Sequence, residues 1–361
     1  MKKYFLSGLL LILSLPIFSS DKDTISILFV GDMMQHYKQI RAALTDYDDS
    51  TNANAYNYSD CFKYVKDKYK KADFAIANME FTVGITPYTG YPNFSAPVSF
   101  AQEVKDCGID LFLCANNHLC DKGKRGIDST IANYGRYNMP FTGLFNNQQD
   151  MDDNYPYITQ IGNIKVAFIN FTYGLNGYKV PTPYIISTMN QEQVKNAITK
   201  AKKRGAEVII ALPHWGVEYS LTTSSSQKEW RDFLHSNGVN IIIGSHPHVI
   251  QPVEINRNQS GNISSVVAYS LGNVISNMTI VNSQVGSMFT IKLAKDQFNN
   301  IKIISAQSEW TWCAIAGRIE KNYTVLPIKK FIHKKDQFIS EFEYNKMLKT
   351  YQSLSKIFNN K

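Results

Sequence analysis

The sequence predicts an α/β fold in which strands and helices alternate along the chain and pack in layers. Short apolar runs recur from residue 25 to residue 293, and amphipathic stretches with a helical period separate many of them. Hydrophobic residues make up 44% of the 361-residue chain and charged residues 19%. This composition is typical of a globular protein with a sizeable core, and the alternation is typical of a layered α/β architecture.

Eight apolar runs predict strands, which in chain order are Ile25–Val30, Asp73–Ala77, Leu111–Ala115, Ile164–Asn170, Glu207–Leu212, Val239–Ile243, Val266–Tyr269 and Met288–Leu293. Six amphipathic stretches predict helices, which are Gln35–Leu44, Cys61–Lys70, Phe100–Cys107, Ile127–Tyr137, Gln191–Arg204 and Gln227–Asn237. The last four strands are less regularly separated by helices. This spacing predicts that part of the sheet is antiparallel.

The two ends of the chain differ from the main domain, which we expect over residues 21–319. Lys2 and Lys3 precede the apolar stretch Tyr4–Phe18, which is the layout of a secretory signal peptide over residues 1–20. The alternative is a membrane anchor, but the stretch is shorter than the roughly 20 residues that a spanning helix needs. We therefore expect an exported protein. Residues 320–361 predict a C-terminal helical appendage with one long polar helix over Phe338–Phe358.

Charge and cysteine content narrow the class of protein. The formal net charge is +8, and without Lys2 and Lys3 it is 8 − 2 = +6. A basic exported protein can meet anionic polymers, although a lysine-rich chain without a specific partner is the alternative. Nothing resembles a basic motif with interleaved aromatics, so we expect no nucleic-acid partner. Five cysteines without paired spacing predict buried free thiols and no disulfide framework.

The residues that could act in catalysis or metal binding are concentrated directly after the predicted strands. Five strands end in turns that contain Asp, Glu, Asn or His, namely Gly31-Asp32, Asn78-Met79-Glu80, Asn116-Asn117-His118, His214-Trp215-Gly216 and Gly244-Ser245-His246-Pro247-His248. In open α/β sheets, ligands bind beyond the carboxyl ends of the strands. We therefore expect these side chains to converge at one edge of the sheet.

The residue types in these turns favour a metal site. Carboxylates, amide oxygens and imidazoles suit manganese, iron and zinc. Two such ions that share a bridging carboxylate activate water for attack on a phosphoryl or acyl centre. The chain has seven histidines, and all except His235 and His333 follow predicted strands. The sequence therefore predicts two divalent transition metal ions, of manganese, iron or zinc, at the sheet edge.

Six motifs in this order resemble those of a known family. They are Phe29-Val30-Gly31-Asp32, Asn78-Met79-Glu80, Ala115-Asn116-Asn117-His118-Leu119-Cys120-Asp121-Lys122-Gly123, Pro213-His214-Trp215-Gly216-Val217-Glu218-Tyr219, Gly244-Ser245-His246-Pro247-His248 and Tyr269-Ser270-Leu271-Gly272-Asn273. The series is similar to the CapA-type poly-gamma-glutamate biosynthesis family, which itself is similar to the calcineurin-like metallophosphoesterases. Each motif alone is weak, but six in order make the resemblance over residues 25–280 specific.

The resemblance implies a four-layer α–β–β–α sandwich and assigns roles to individual residues. It implies six metal ligands, which are Asp32, Glu80, Asn117, His214, His246 and His248. Glu80 would take the bridging place between the two ions. His118 would be the acid or transition-state stabiliser beside the metals, and Asp121 would orient it.

Two positions depart from the metallophosphoesterase pattern. The first motif has no histidine two residues after Asp32, and His36 is the candidate replacement. The second motif has Glu80 where that pattern usually has aspartate, which moves the carboxylate one methylene outward. Both departures leave open whether the hydrolysed bond is a phosphate ester.

The resemblance implies an exported metal-dependent hydrolase or transferase that acts on an anionic extracellular polymer. Its role would be in the synthesis, export or release of a poly-gamma-glutamate capsule, in association with a membrane capsule-synthesis complex. One alternative is a periplasmic phosphodiesterase or phosphatase. Another is a non-catalytic factor that binds the polymer during assembly. The six ligands favour catalysis, because binding alone would not need all of them.

Other residues near the motifs have a structural interpretation beside a functional one. Gly272 and Asn273 either line the site or form only a turn. Four aromatic residues either line the cleft or pack in the core or at its rim; they are Tyr173, Tyr178, Trp215 and Tyr219. Arg125 either contacts an anionic substrate or is a solvated charge at the start of a helix.

Overall fold

The computed structural model describes residues 24–359, so the predicted signal segment 1–20 lies outside the described residues. The strands are β1 Thr24–Met33, β2 Phe74–Met79, β3 Thr82–Val83, β4 Ser95–Ala96, β5 Leu111–Leu113, β6 Phe141–Thr142, β7 Leu144–Phe145, β8 Tyr157–Ile161, β9 Ile164–Thr172, β10 Ile185–Ile186, β11 Val208–His214, β12 Ile241–Ile243, β13 Val253–Arg257, β14 Ile263–Ala268, β15 Asn273–Ile275, β16 Val285–Lys295, β17 Ile301–Ala314 and β18 Thr324–Pro327. The helices are α1 Tyr37–Ala43, α2 Lys66–Lys71, α3 Val98–Asp106, α4 Gly123–Arg136, α5 Gln148–Asn154, α6 Gln191–Lys203, α7 Ser225–Ser236, α8 Ile328–Phe331 and α9 Glu341–Asn359. None of the helices within residues 24–359 combines the length and the apolar character that crossing a bilayer requires.

Most strands belong to one mixed sheet, whose main path runs β6-β5-β2-β1-β16-β17-β14-β12-β11-β9-β8. In its first half, β6, β5, β2 and β1 are parallel. In its second half, β14, β12, β11 and β9 are parallel. The long antiparallel strands β16 and β17 join the two halves. β8 is also antiparallel to β9. Part of the sheet is therefore antiparallel, as the sequence predicts.

The two halves of the sheet face one another across a shared apolar core. On β1, Ile27 belongs to this inner core, whereas Leu28 belongs to the core on the outer face. On β9, Phe168 is part of the inner core and Ile169 is part of the core on the opposite outer face. Successive strand residues point to opposite faces, so these apolar strands are buried on both sides. The resulting layers confirm the predicted α–β–β–α sandwich.

Helices cover both outer faces. α1, α3 and α4 pack on the first half of the sheet, and α6 and α7 pack on the second. The buried residues of α6 show why it packs this way, since Val194, Ala197, Ile198 and Ala201 recur at helical spacing and form one apolar stripe. Asn190 caps this helix, because its side chain accepts a hydrogen bond from the backbone N–H of residue 193.

The C-terminal segment is partly a strand of the main sheet. The sequence predicts a helical appendage over residues 320–361, but Thr324–Pro327 forms β18 and pairs antiparallel with β17. α9 then packs over β17. There the buried carboxylate of Glu343 accepts hydrogen bonds from Trp312 Nε1 at 3.0 Å and Gln284 Nε2 at 3.1 Å. These contacts attach the last helix to the sheet.

The eight predicted strands are all present as β1, β2, β5, β9, β11, β12, β14 and β16. The helix predicted over Cys61–Lys70 begins only at Lys66. Residues 61–65 form turns, and the C=O of Cys61 accepts a hydrogen bond from the N–H of Val325 in β18 at 2.9 Å in place of a helical bond. The five cysteines are buried free thiols, as expected from their spacing.

Candidate metal centre

The first carboxylates of the site come from the carboxyl ends of β1 and β2. Asp32 and Glu80 are both fully buried there. The N–H of Glu80 donates to the C=O of Met33 at 3.0 Å, and the N–H of Asp32 donates to the C=O of Gly272 at 2.9 Å. A Cβ at Gly31 would lie 1.9 Å from the carbonyl oxygen of Gly272. Glycine at this position therefore permits the close approach that fixes Asp32.

The turn after β5 contributes Asn117 and His118, which point to different partners. Asn116 holds this turn, because its Nδ2 donates to a carbonyl of β2 at 2.8 Å and its Oδ1 accepts from the N–H of His118 at 3.1 Å. Asn117 Oδ1 lies 2.8 Å from His214 Nε2. His118 Nδ1 lies 2.8 Å from Asp121 Oδ2. Adjacent residues therefore serve two different parts of the site.

The remaining imidazoles come from the end of β11 and from the loop after β12. His214 is the last residue of β11, and the loop contributes His246 and His248. His246 has φ of 100° and His248 has φ of 58°. Such backbone conformations are unfavourable for residues with a Cβ and cluster at functional sites. The N–H of His246 donates to Asp32 Oδ2 at 3.1 Å, which ties this loop to β1.

These side chains form one buried cluster around Glu80. Its Oε1 lies 3.6 Å from His214 Nε2 and 3.6 Å from His248 Nε2. One group of potential ligand atoms joins Glu80 with His246 and His248, and a second group joins it with Asp32 and His214. Within each group the atoms lie within 4.8 Å of one another. Glu80 belongs to both groups, which is the position that a bridging ligand needs.

Two polar atoms of the cluster show that its residues fit metal ions. Within the described residues, Glu80 Oε1 and His246 Nδ1 are buried without a hydrogen-bond partner. A buried polar atom without a partner is unfavourable, and a cation among these donors would satisfy both. Carboxylate oxygens, an amide oxygen and imidazole nitrogens are the donors that manganese, iron and zinc accept. The set of predicted ligands therefore fits divalent transition metals.

Burial shifts the protonation of this cluster toward neutral groups. Burial raises the pKa of Glu80 well above its usual range, and the nearby carboxylates of Asp32 and Glu218 raise it further. Burial also lowers the pKa of His214 and of His246 well below the usual range, with neighbouring histidines adding to the effect. Neutral imidazoles offer a lone pair to a metal, and a bound cation reverses the penalty on a buried carboxylate. The electrostatics therefore favour a cation at this position.

His118 and Asp121 form a pair beside the ligand groups and belong to neither of them. Asp121 Oδ2 accepts the N–H of Phe94 at 2.7 Å as well as the ring of His118. The ring of Phe94 meets the His118 ring edge-on, with 4.7 Å between centroids. An ionised carboxylate can only accept, so His118 carries a proton on Nδ1. Its other ring nitrogen, Nε2, is the one available for proton exchange with a substrate.

Asn78 organises the carboxylates, a role that the sequence pattern does not predict. Its Nδ2 donates to Asp32 Oδ1 at 2.8 Å and lies 3.4 Å from Glu80 Oε2. Asn78 and Glu80 are two residues apart at the end of β2, so their side chains leave the strand on the same face. A buried amide in an otherwise apolar strand, two residues before a carboxylate, is the sequence signal that could have identified it.

His36 lies beside the centre and caps α1. Its Nδ1 lies 3.1 Å from Gln39 Oε1 and accepts a hydrogen bond from the N–H of Asn277 at 3.2 Å. Burial lowers its pKa to about 4, and the Gln39 contact opposes this shift. His36 belongs to neither ligand group found within residues 24–359. The structure therefore gives it a helix-capping position, with Nδ1 already engaged.

Two tyrosines stand next to the histidine loop. The ring of Tyr173 lies 4.4 Å from that of His246, and the ring of Tyr219 lies 6.1 Å from that of His248. Burial, reinforced by the carboxylate of Glu218, raises the pKa of both phenols to about 12. Both hydroxyls are therefore neutral hydrogen-bond donors over the physiological range. Tyr173 is 45% exposed, so it is accessible to a substrate.

The other three candidates occupy different positions. Tyr178 donates its hydroxyl to Asn93 Oδ1 at 3.0 Å, which joins two exposed loops. Trp215 is fully buried and donates its Nε1 to the C=O of Tyr269 at 2.9 Å, so it is a core residue. Arg125 is exposed near the start of α4.

The chain is similar to proteins of capsule synthesis. The family described as bacterial capsule synthesis protein PGA_cap matches residues 26–278. The capsule biosynthesis protein CapA of Bacillus anthracis is 27% identical over 274 residues, which are 72% of this chain and 62% of that protein. The PGA biosynthesis protein CapA of Bacillus subtilis (strain 168) is 26% identical over 262 residues, which are 70% of this chain and 63% of that protein. The chain therefore spans less than two thirds of the length of these curated relatives.

Some solved structures are similar at low sequence identity. The NAD nucleotidase NadN of Haemophilus influenzae is 13% identical, and the match covers 91% of this chain and 62% of that chain with a TM-score of 0.48. The calcineurin-like phosphoesterase YfkN from Bacillus subtilis is 17% identical, and the match covers 91% of this chain and 97% of that chain with a TM-score of 0.46.

Proposed function

The chain belongs to the bacterial capsule synthesis protein family, and on that premise we propose that it is an exported metal-dependent hydrolase or transferase acting on an anionic extracellular polymer. The observation that carries the proposal is the buried cluster at the strand ends, where Glu80 lies 3.6 Å from each of two imidazoles. Polymer binding alone would not require carboxylates, an amide and imidazoles buried around one point. Such a donor set is what metal-assisted hydrolysis needs.

The proposed centre holds two divalent ions of manganese, iron or zinc. Their ligands would be Asp32, Glu80, Asn117, His214, His246 and His248. When bound, such ions activate a water molecule and neutralise the charge that develops on a phosphoryl or acyl oxygen. The protein holds Glu80 between the two ligand groups, and Asn78 keeps the two carboxylates in place.

His118 is the proposed proton donor. Asp121 accepts the proton on its Nδ1 at 2.8 Å, and the backbone of Phe94 in turn fixes Asp121. The ring therefore has a set orientation and one free nitrogen. In its imidazolium form His118 would transfer the Nε2 proton to the leaving group, which is general acid catalysis, and would keep the Nδ1 proton that Asp121 accepts.

The relatives and the charge support an anionic capsule polymer as the substrate. The two curated relatives are named for capsule biosynthesis and for PGA biosynthesis. We extend this to poly-gamma-glutamate and to a role in its synthesis, export or release. The net charge of +6 that remains without Lys2 and Lys3 favours approach of an anionic chain. Beside the cluster, the neutral hydroxyl groups of Tyr173 and Tyr219 can donate hydrogen bonds to its oxygens.

Metal content is the first test. The purified protein is expected to hold about one to two transition metal ions per chain, because dinuclear hydrolases bind two. The double variant His246→Ala/His248→Ala should lose most of this metal, since both imidazoles belong to one ligand group with Glu80. Elemental analysis by mass spectrometry measures the content. His333→Ala removes an exposed histidine outside the cluster and should keep all of it. A folded double variant with unchanged metal would contradict the proposed centre.

The scissile bond is tested by a hydrolysis screen with the metal-loaded protein. Release of fragments from γ-glutamyl peptides or from poly-gamma-glutamate would support the proposal. Turnover of phosphoesters without action on γ-glutamyl bonds would assign a phosphodiesterase or phosphatase. Tight binding of the polymer without turnover of any substrate would assign a non-catalytic assembly factor.

Export is tested at the N-terminus. The basic pair before Tyr4–Phe18 leads us to propose a cleaved signal peptide. The mature protein is then expected to begin between residues 19 and 23, which mass spectrometry of the secreted chain measures. Retention of Met1 in the exported form would indicate an anchor, and such an anchor would hold the protein near a membrane capsule-synthesis complex.

A further inference from the structure

Asn273 is a fully buried amide at the edge of the metal centre. It is the first residue of β15 and pairs with Asp32 where β15 runs parallel to β1. A Cβ at Gly286 would lie 2.1 Å from the carbonyl oxygen of Asn273. This close approach fixes the backbone of Asn273 against β16. Its side chain therefore starts from a rigid position next to a predicted metal ligand.

Two backbone carbonyls determine which way the amide of Asn273 faces. Its Nδ2 donates to the C=O of Ser283 at 2.9 Å and to the C=O of His248 at 3.3 Å. A carbonyl oxygen can only accept hydrogen bonds. Rotating the amide by half a turn would place Oδ1 against both carbonyls and would lose both bonds. The Oδ1 atom therefore faces away from them.

In this orientation Oδ1 lies 3.0 Å from His248 Nδ1. An amide oxygen has no proton to give, so the proton of this hydrogen bond is on Nδ1 of the imidazole. Asp32 Oδ2, at 3.4 Å from the same nitrogen, favours the same assignment. With one proton on the ring, the lone pair is then on Nε2, which is the atom 3.6 Å from Glu80 Oε1.

Neither of the other two imidazoles of the cluster has an acceptor-only partner at Nδ1, and His214 Nε2 lies 2.8 Å from Asn117 Oδ1, which is itself a proposed ligand atom. His214 Nδ1 lies 2.9 Å from the hydroxyl of Ser245 and 3.3 Å from Asn78 Nδ2, which can donate to it. His246 Nδ1 has no partner among the described residues. Of these three histidines, His248 is therefore the one in which an acceptor outside the proposed ligand set faces Nδ1 and leaves Nε2 for a metal ion.

We propose that Asn273 is a positioning residue that holds His248 as its Nδ1–H tautomer and so directs the Nε2 lone pair to the metal ion. Groups that accept the second ring proton of a ligating histidine fix its tautomer and orientation, and their loss typically lowers metal affinity about 10–100-fold. The role of Asn273 in directing His248 to a metal ion rests on the proposed function. The tautomer is nevertheless a property of the chain alone and can be measured without metal or substrate.

The first experiment is a long-range ¹H–¹⁵N correlation spectrum of the metal-free protein, with His248 assigned by comparison with His248→Ala. We expect the pattern of a neutral imidazole protonated on Nδ1. A ring protonated on Nε2 in the wild-type protein would overturn the proposal without any variant at position 273.

The second experiment compares two substitutions of Asn273. Asn273→Leu removes the acceptor at similar size and should give a mixture of His248 tautomers and a zinc dissociation constant about 10–100-fold higher. Asn273→Asp keeps an oxygen beside Nδ1, and its second oxygen, when protonated, can donate to one of the carbonyls. This variant should keep the Nδ1–H tautomer and most of the zinc affinity.

Asn256→Leu is the matched control, because Asn256 is an exposed asparagine on β13 away from the cluster. It should leave the tautomer and the zinc affinity unchanged. Lower affinity in Asn273→Leu with an unchanged tautomer would mean that Asn273 acts only through the fold, which contradicts positioning. If Asn273→Leu does not fold, the wild-type spectrum and Asn273→Asp decide. Absence of zinc, manganese and iron binding in the wild-type protein would instead refute the proposed function.

Discussion

Glutamine in place of Glu80 is expected to remove both metal ions and to leave the metal-free protein no less stable than before. Glu80 belongs to both ligand groups, and a neutral amide is a much weaker ligand for divalent transition metals than a carboxylate. In the metal-free fold, burial and the neighbouring Asp32 make the ionised carboxylate unfavourable, as the raised pKa of Glu80 shows. The amide has nearly the same size and does not carry that charge.

Glu80→Gln should lower the metal content but should not lower the thermal unfolding midpoint of the metal-free protein. Metal content should fall from the wild-type level of about one to two ions per chain to nearly none, because both ions would need this ligand. Thermal unfolding in excess chelator should give the same or a higher midpoint than for metal-free wild type. Glu218→Gln changes an exposed carboxylate near the entrance and should keep both ions. If Glu80→Gln keeps one ion firmly bound, Glu80 serves one site only and does not bridge.

The location of the site could be predicted from sequence because the fold puts all parallel strand ends at one edge. Each predicted ligand lies at or just after the end of a mainly apolar strand, so the strand is easily recognised and its end is well defined. The two halves of the sheet then bring distant segments together. Asn170 shows how closely, since its Oδ1 accepts the N–H of Ala115 from one half and its Nδ2 donates to the C=O of Leu212 in the other, each at 2.8 Å.

The organising amides could not be predicted in the same way. Asn78 and Asn273 act through hydrogen bonds to residues 46 and 25 positions away along the chain. Asparagine is common in turns, so the residue type alone does not separate an amide that holds a ligand from one that only forms a turn. The distinction depends on which atoms of the amide face a carbonyl and which face an imidazole, and that is fixed by tertiary packing.

The strand β17 was also missed from sequence, for a different reason. Over Ile301–Trp310 its residues are partly or fully exposed, and only the last four residues of the strand are buried. Its alternation of polar and apolar residues is therefore irregular. Pairing along most of its length with β16 defines it as a strand. Strands whose faces are partly solvated at a junction between sheet halves lack the period on which sequence reasoning depends.

The adjacent residues Asn117 and His118 are expected to separate metal binding from proton transfer. His118→Ala should keep its metal and fold, because His118 belongs to neither ligand group. Its turnover should fall by about 10²–10⁴-fold, the usual contribution of a positioned proton donor. Asn117→Ala should lose metal affinity together with turnover, because Asn117 Oδ1 lies 2.8 Å from His214 Nε2 within the cluster.

Both variants are compared by metal content and by kcat on the substrate that the hydrolysis screen identifies. Asp121→Asn is the companion variant, because its amide keeps the space but exchanges one acceptor oxygen for a donor. It should retain metal and show a smaller loss of kcat than His118→Ala, since the ring is present but no longer held through Nδ1. Release of metal by His118→Ala, with near-normal activity after reloading, would contradict the assigned role. If both alanine variants bind metal normally and no substrate is turned over by the wild-type protein, the cluster binds its ions for polymer assembly and not for catalysis.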